Sequence, residues 1–209
     1  MLSRSIALCL CAALPVSAFA DPGYYRVTGV ASDDTLNVRS DPSAGSADLG
    51  DLPHDATGIE VSETDASGKW GRIIWEEGNG WIAMRFLAPD AVAQVGGTAL
   101  PAGLLCSGTE PFWSMQMSNA SATYSDTSGA VLAMTLQGAR VAEGRQNFPV
   151  QTGFAGTDGS ANALIAPALC SDGMSDRDYP WRVDLLISAG GTGRYLVGCC
   201  NLPLEVGSH

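Results

Sequence analysis

Residues 170–181 have the sequence CSDGMSDRDYPW. This stretch combines three aspartates, one arginine, one cysteine and two aromatic residues with the glycine and serine typical of turns. Two other segments also carry cysteine next to glycine or serine: residues 106–113, CSGTEPFW, and residues 198–200, GCC. We expect the three segments to come together and to organise the second half of the chain.

The runs between and beside these segments alternate apolar and polar residues. Val183, Leu185 and Ile187 fall on one face of a predicted strand, because successive side chains of a strand point to opposite faces. Further strand-like runs, separated by turn-forming residues, cover residues 112–117, 122–125, 130–136 and 195–200. The pattern predicts an antiparallel β domain over residues 104–209.

The first half also consists of short strand-like runs separated by frequent turns. They cover residues 36–39, 59–61, 69–75 and 80–83. None has the length or period of a helix, and closely spaced short strands favour a small barrel. The predicted fold class is therefore all-β, with a small barrel followed by the second β domain.

The N-terminus has the composition of a secretory signal. Arg4 supplies the positive charge, residues 6–14 the apolar run, and Ala18-Phe19-Ala20 a cleavage site, so residues 1–20 are predicted to be removed before Asp21. The apolar run is too short to cross a bilayer. We expect an exported chain without a membrane span after cleavage.

The charge balance excludes one class of partner. The chain has 11 basic and 22 acidic residues, a formal net charge of −11 at pH 7, and loss of Arg4 makes it more negative. A surface of this charge repels phosphate backbones and anionic headgroups. We expect no nucleic-acid partner.

Four cysteines follow the signal: Cys106, Cys170, Cys199 and Cys200. An even number in an exported protein predicts two disulfides. Adjacent side chains on a strand face opposite sides, so Cys199 and Cys200 should each bond to a different partner rather than to each other. Two connectivities satisfy this condition.

Residues 21–95 contain LNVRSDPS at 36–43, KWGRI at 69–73 and GWIAMRFL at 80–87. In order and spacing these pieces resemble the bacterial SH3-like (SH3b) domain. The resemblance implies a compact barrel that binds peptides or cell-wall peptidoglycan, and it does not imply catalysis. The Ala- and Gly-rich residues 96–103 are predicted to be a flexible linker, part of which could pack on either neighbour.

Five residues of this half are candidates for ligand binding: Trp70, Trp75, Trp81, Asn37 and Arg39. Tryptophan offers apolar stacking surface. We expect Trp70 and Trp81 to fill the barrel core instead, and Trp75, beside a charged hairpin, to be the more exposed one. Asn37 and Arg39 flank a core strand position and are expected to hydrogen-bond a turn.

The motifs at residues 108–113, 170–180 and 198–199 resemble an uncharacterised family of exported proteins and lipoproteins of Gram-negative bacteria. This family supplies no catalytic residues to carry over. Its pattern implies a periplasmic location and disulfides between Cys170 and Cys199 and between Cys106 and Cys200. The first bond would anchor the acidic turn to the last strand.

The sequence offers two sets of residues that could bind a metal. Asp172, Asp176 and Asp178 have part of the spacing of a calcium loop, but the EF-hand pattern and its closing glutamate are missing. Met174 with the last two cysteines could hold a soft metal, but oxidation of the thiols competes in an exported protein. We predict no metal and no cofactor.

A hydrolytic site would need Glu110 with Asp172 or Asp176 as an acid–base pair. Neither histidine supports such a site, because one lies in the first half and the other is the last residue. We expect turn chemistry for the aspartates. Glu110 opens an apolar strand, and Arg177 is the predicted partner that would compensate its charge in a structural ion pair.

The functional prediction is an exported, non-enzymatic binding protein of the cell envelope, whose SH3-like half recognises peptidoglycan or peptide segments. One alternative is an envelope-acting enzyme with a catalytic second half. The other is a metal or redox sensor that uses Cys199 and Cys200.

Overall fold

The computed structural model describes residues 21–204, and all the strands in this range pair in antiparallel sheets. The predicted all-β fold class is confirmed. The predicted signal peptide, residues 1–20, lies outside the described residues. Within them, no helix has the length and apolar character needed to cross a membrane.

The first half consists of two antiparallel sheets. Its elements are β1 (Gly23–Val27), β2 (Thr35–Arg39), β3 (Asp48–Pro53), β4 (Ile59–Val61), β5 (Glu63–Thr64), β6 (Trp70–Trp75), β7 (Gly78–Ala83), a 3-10 helix (Met84–Phe86) and β8 (Leu87–Pro89). One sheet has the order β4-β1-β8 and the other β3-β2-β7-β6-β5. The two sheets enclose one apolar core, in which Val38, Leu52 and Ile59 are fully buried.

The second half is a closed barrel of eight strands. They are β9 (Leu105–Thr109), β10 (Phe112–Met117), β11 (Ser121–Asp126), β12 (Val131–Val141), β13 (Val150–Ala155), β14 (Gly159–Cys170), β15 (Tyr179–Ala189) and β16 (Thr192–Asn201). Each strand pairs with the next along the chain, and β16 pairs with β9 to close the barrel. Closure leaves no free sheet edge among these eight described strands.

The barrel core follows from the alternation along each strand. On β15, Val183, Leu185 and Ile187 are buried in the barrel, whereas Leu186 between them is 50% exposed. The predicted shared face of these three residues is confirmed. The same interior holds Met115 and Met117 of β10, both fully buried.

Two disulfides staple the barrel. One joins Cys106 to Cys200, which lie opposite each other on β9 and β16, and the other joins Cys170, at the end of β14, to Cys199. The predicted pairing is confirmed. Such bonds persist in oxidising compartments, which places the chain in an oxidising, non-cytoplasmic environment.

The segment between the two halves is not the flexible linker predicted for residues 96–103. Val95, Leu100 and Leu104 are fully buried in the barrel core, and the Val95 N–H donates to the Leu100 carbonyl at 2.9 Å. A Cβ at Gly96, whose φ is +55°, would lie 2.8 Å from the Cβ of Ala139. The alternative, an apolar segment packed on one neighbour, is what the structure shows, because these aliphatic side chains gain burial there.

Candidate functional site

A cleft of about 500 Å³ separates the two halves on one side of the molecule. The first half lines it with Ile59, Glu60, Ser62, Ile73, Ile74, Trp75 and Glu76, and the second with Leu105, Arg177, Pro180, Asn201, Leu202, Pro203 and Leu204. Most of these side chains are apolar. The charged exceptions are two glutamates and one arginine, so the cleft has apolar walls with a few polar groups, as ligand sites commonly do.

Next to this cleft, each half contributes a side chain that packs against the core of the other half. Tyr24 of β1 packs against the barrel core, and Leu204, after β16, packs against the core of the first half. The two halves therefore share apolar contacts in both directions. The cleft is bounded by parts of the chain that this shared packing holds in place.

Glu60 of β4 is the polar centre of the contact between the halves. Its side chain is buried, with 8% exposure. Its Oε1 accepts hydrogen bonds from the Trp181 indole N–H at 2.7 Å and the Tyr24 hydroxyl at 3.2 Å, and its Oε2 accepts from the Leu202 backbone N–H at 2.8 Å. One carboxylate thus joins β1, β4, β15 and the segment that follows β16.

Burial controls the acidity of this carboxyl. Loss of water around Glu60 raises its pKa from 4.5 to about 7, although the three hydrogen bonds from Trp181, Leu202 and Tyr24 act in the opposite direction. Burial, followed by the charge of Glu60, also raises the pKa of the Tyr24 hydroxyl, so Tyr24 stays protonated. Near neutral pH, Glu60 therefore exists in both its charged and its neutral form.

The edge of β6 is unpaired where it faces the cleft. Trp75 and Gly78 close the two-residue β6–β7 hairpin as a hydrogen-bonded pair, so Ile74 and Asn79 form a non-hydrogen-bonded pair. The backbone N–H and C=O of Ile74 then point away from β7. The pairing of β5 ends at Arg72, and among the described residues no backbone bond reaches Ile74 from that side.

The acidic turn of residues 170–181 is hydrogen-bonded to the β6–β7 hairpin beside the cleft. The Arg177 guanidinium donates to the Glu76 carbonyl at 2.6 Å and to the Glu77 carboxylate at 3.1 Å. Glu76 has φ +51°, a left-handed conformation that the tight two-residue turn requires. The backbone N–H of Asp176 adds a bond to the Glu77 carbonyl at 3.1 Å.

Asn79 of β7 provides a second set of contacts to the same turn. Its side-chain amide donates to the Asp176 carbonyl at 2.8 Å and to the Asp178 carboxylate at 3.4 Å, and its side-chain oxygen accepts from the Asp178 N–H at 3.0 Å. Arg72 forms an ion pair with the same Asp178 carboxylate. The turn that the sequence singled out therefore fastens the barrel to the first half.

Within the turn, Asp172 has the predicted turn chemistry. Its carboxylate accepts from the backbone N–H of Met174 and Ser175, both at 2.9 Å, and from the Tyr179 hydroxyl at 3.1 Å. Burial raises its pKa, but these hydrogen bonds outweigh burial and hold the pKa below its usual value. Thr109 links the turn to the β9–β10 hairpin by donating to the Asp172 carbonyl at 2.9 Å.

The predicted ion pair between Glu110 and Arg177 is wrong. Glu110 is exposed in the hairpin between β9 and β10, whereas Arg177 extends across the interface to Glu76 and Glu77. An exposed carboxylate is solvated and needs no compensating cation. The contact between the two motifs uses Thr109 instead.

The tryptophans of the first half do not follow the prediction. Alternation places Ile73 and Ile82 in the core, so Trp70 and Trp81, at the opposite parity on β6 and β7, lie on the outer face and are half-buried. Trp81 lies beneath the Arg72 guanidinium, 5.9 Å from the ring centre.

Trp75 has the parity of Ile73 and packs against the first core, and its indole N–H donates to the Leu49 carbonyl at 3.1 Å. Trp75 also lines the cleft, whereas Trp70 and Trp81 are not among the residues that line it. Of the five predicted binding residues, Trp75 is therefore the only one that lines the cleft. Its packing against the core of the first half holds it there.

Asn37 and Arg39 belong to the β2–β3 hairpin and not to the cleft lining. The Asn37 amide donates to the carboxylates of Asp51 at 3.0 Å and Asp48 at 3.3 Å. Arg39 donates to the carbonyl of Ser46, within the β2–β3 turn, at 3.4 Å. Arg39 therefore has the expected turn-bonding role, whereas Asn37 bonds across the hairpin to side chains of β3. A ligand-binding role for either residue stays a prediction.

The alternative metal and redox sites depend on Cys199 and Cys200 or on the aspartates of the acidic turn. Cys199 and Cys200 are both in disulfides, so neither is a free thiolate for a metal or a redox reaction. Within residues 21–204 no group of three or more His, Cys, Asp or Glu side chains is arranged to hold a metal ion.

A second, shallower cavity of about 310 Å³ lies over the start of β10. Phe112, 51% exposed, and the buried Trp113 line it, together with Asp126 of β11. It contains the aromatic part of the motif at residues 108–113. The carboxylate in its lining, Asp126, forms an ion pair with Arg194 at 2.6 Å. Unlike the cleft, this cavity therefore offers no unpaired carboxylate to a ligand.

Sequence reasoning missed Glu60, Ile74 and Asn79. Glu60 lies between Ile59 and Val61 in an alternating run, a pattern that predicts a solvent-facing side chain, yet all three residues are buried. Its neighbours Trp181 and Leu202 are more than 120 positions away in the sequence. The one local indication that Glu60 has a special role is its position between two β-branched residues, Ile59 and Val61.

Comparisons of the chain with protein-family models, with curated proteins and with solved structures find no match.

Proposed function

We propose that this protein is an exported binding protein of the bacterial cell envelope that takes an extended peptide, from peptidoglycan or from a protein, in the cleft between its halves. The observation that carries the proposal is the unpaired edge of β6 at Ile74 in the cleft wall. A sheet edge with free N–H and C=O groups binds an extended chain by adding it as a further strand.

The surroundings of Ile74 support a peptide ligand. Trp75 and the aliphatic side chains of the lining offer apolar surface for the side chains of an added strand. The SH3-like resemblance of residues 21–95 implies the same ligand class. The signal sequence and the disulfides agree with a periplasmic location.

A pull-down with purified peptidoglycan sacculi tests the proposal on the full mature chain. Ile74→Pro removes the backbone N–H, and proline is accepted on an edge strand whose N–H faces outward. Ile74→Val is the matched control, since it keeps the N–H and a β-branched side chain. We expect the wild type and Ile74→Val to sediment with sacculi and Ile74→Pro to stay in the supernatant.

Two results would count against the proposal. If the wild type does not sediment with sacculi, peptidoglycan is not the ligand. If Ile74→Pro sediments as well as Ile74→Val, binding does not use the β6 edge and lies outside the cleft. Circular dichroism of each variant checks that the sheets are intact.

A further inference from the structure

Glu60 is a buried carboxylate without a cation. Within residues 21–204 no basic side chain lies within 4.0 Å of its oxygens. Charged groups are rarely buried unless they are paired. Three hydrogen bonds satisfy part of the carboxylate, but no residue in the described range 21–204 places an opposite charge beside it.

The carboxylate also keeps room for another donor. Oε1 receives two hydrogen bonds, whereas Oε2 receives one, from Leu202. An ionised carboxylate has about four acceptor positions. Because Glu60 is part of the cleft lining, a group that enters the cleft can reach it.

The same cleft contains one cation, Arg177, whose side chain is 29% exposed. Its carboxylate partner is Glu77, whose side chain is 85% exposed and is therefore a weak, solvated partner. A carboxylate from a ligand can replace Glu77 at this guanidinium at little cost. The cleft therefore offers a buried negative group and an accessible positive group on opposite walls.

We propose that the peptide bound in this cleft carries a primary ammonium group that pairs with Glu60 and a carboxylate that pairs with Arg177. This inference rests on the proposed function and names the chemical class of its ligand. The ammonium supplies the cation that residues 21–204 do not provide for Glu60, with up to three N–H donors. Apolar side chains of the ligand contact the remaining walls.

Binding of the ammonium has a measurable consequence for protons. The groups that face Glu60 are Tyr24 on β1, the indole of Trp181 on β15 and the Leu202 N–H, and none of them carries a positive charge. A bound ammonium favours the charged form of Glu60 and lowers its pKa. Because burial raises the pKa of Glu60 in the free protein to about 7, binding of the ammonium near neutral pH releases protons.

Isothermal titration calorimetry with two synthetic peptides tests the inference on the full mature chain. One is N-acetyl-Ala-Ala-Lys, with one ammonium and one carboxylate, and the other is the same peptide with its lysine Nε acetylated. We expect the free lysine peptide to bind at least about tenfold more tightly, the effect of a hydrogen-bonded charge pair. Titrations in buffers of different ionisation enthalpy measure the proton release.

Glu60→Gln extends the test with an uncharged side chain of the same shape. In this variant we expect equal affinities for the two peptides and no proton release. The comparison of the two peptides on the wild-type protein does not need the variant, so a folding defect of Glu60→Gln leaves the test valid. Arg177→Gln, at the other wall, should weaken both peptides equally.

Three outcomes would overturn the inference: equal affinity of the wild type for both peptides, tighter binding of the free lysine peptide without proton release, or binding of neither peptide. The sacculus pull-down separates these failures from failure of the proposed function. If Ile74→Pro abolishes sedimentation while the peptides show equal affinity, the cleft binds peptide and the ammonium assignment is wrong. If sedimentation does not depend on Ile74, the proposed function itself fails.

Discussion

Substitution of Glu60 by glutamine should remove most of the pH dependence of stability near neutral pH. Burial raises the pKa of Glu60 from 4.5 to about 7. Each pKa unit corresponds to about 1.4 kcal/mol, so the wild type loses about 3 kcal/mol of stability between pH 4.5 and pH 8 from this one group.

The direction follows from proton binding. The folded state holds a proton on Glu60 up to about pH 7, whereas the unfolded chain releases it near pH 4.5. The stabilisation is therefore fully present below pH 4.5 and is lost as the pH rises through 7. The depressed pKa of Asp172 acts in a lower range, because its contribution is lost only as the pH falls below 3.8.

Urea unfolding of the oxidised protein, followed by tryptophan fluorescence at intervals from pH 5 to pH 8, measures this effect. The free energy of unfolding of the wild type should fall by about 2.5 kcal/mol over that range, and the Glu60→Gln curve should be nearly flat. Parallel curves for the two proteins would show that the carboxyl titrates at an ordinary pH, and the argument from burial would be refuted.

Three further outcomes are expected from urea or thermal unfolding. Asn79→Ala removes three hydrogen bonds between the halves and should cost about 1–3 kcal/mol, and an unchanged midpoint would contradict the stabilising role of these contacts with the acidic turn. Serine at both cysteines of the Cys106–Cys200 bond opens a loop of 94 residues and should cost about 1 kcal/mol more than the same change at the other disulfide, whose separation is 29; equal losses would contradict this ranking. Glu110→Gln should change stability by less than about 0.5 kcal/mol, because Glu110 is exposed; a larger loss would restore a structural ion pair for it.

The sequence carried enough local information to predict the fold class. Alternation along residues 183–187 predicts the inner face of β15, since one side of a strand must be apolar to be buried. The opposite orientation of Cys199 and Cys200 follows from the same period and excludes a bond between them. These features depend on neighbours in sequence, which a single chain shows directly.

The candidate site depends on contacts between distant residues, and here the sequence was less informative. Alternation shows which residues of β6 and β7 share a face with Trp70 and Trp81, but it does not show which face is turned toward the core. The prediction placed the two tryptophans on the core face, and they lie on the outer face. For Arg177 the sequence suggested a partner by charge alone, and the structure pairs it with the β6–β7 hairpin. The role of Glu60 requires three donors from separate elements, which no local pattern indicates.

Hydrogen exchange at the Ile74 amide tests the central claim, that the cleft between the halves binds peptide, most directly. Two-dimensional NMR of the mature protein, with and without soluble fragments of digested peptidoglycan, reports the exchange rate of each backbone N–H. We predict slower exchange at Ile74 when the fragments are added, because an added strand accepts its N–H. Unchanged exchange at Ile74, with protection at Phe112 and Trp113 instead, would place the ligand in the shallower cavity over the start of β10 and contradict the account.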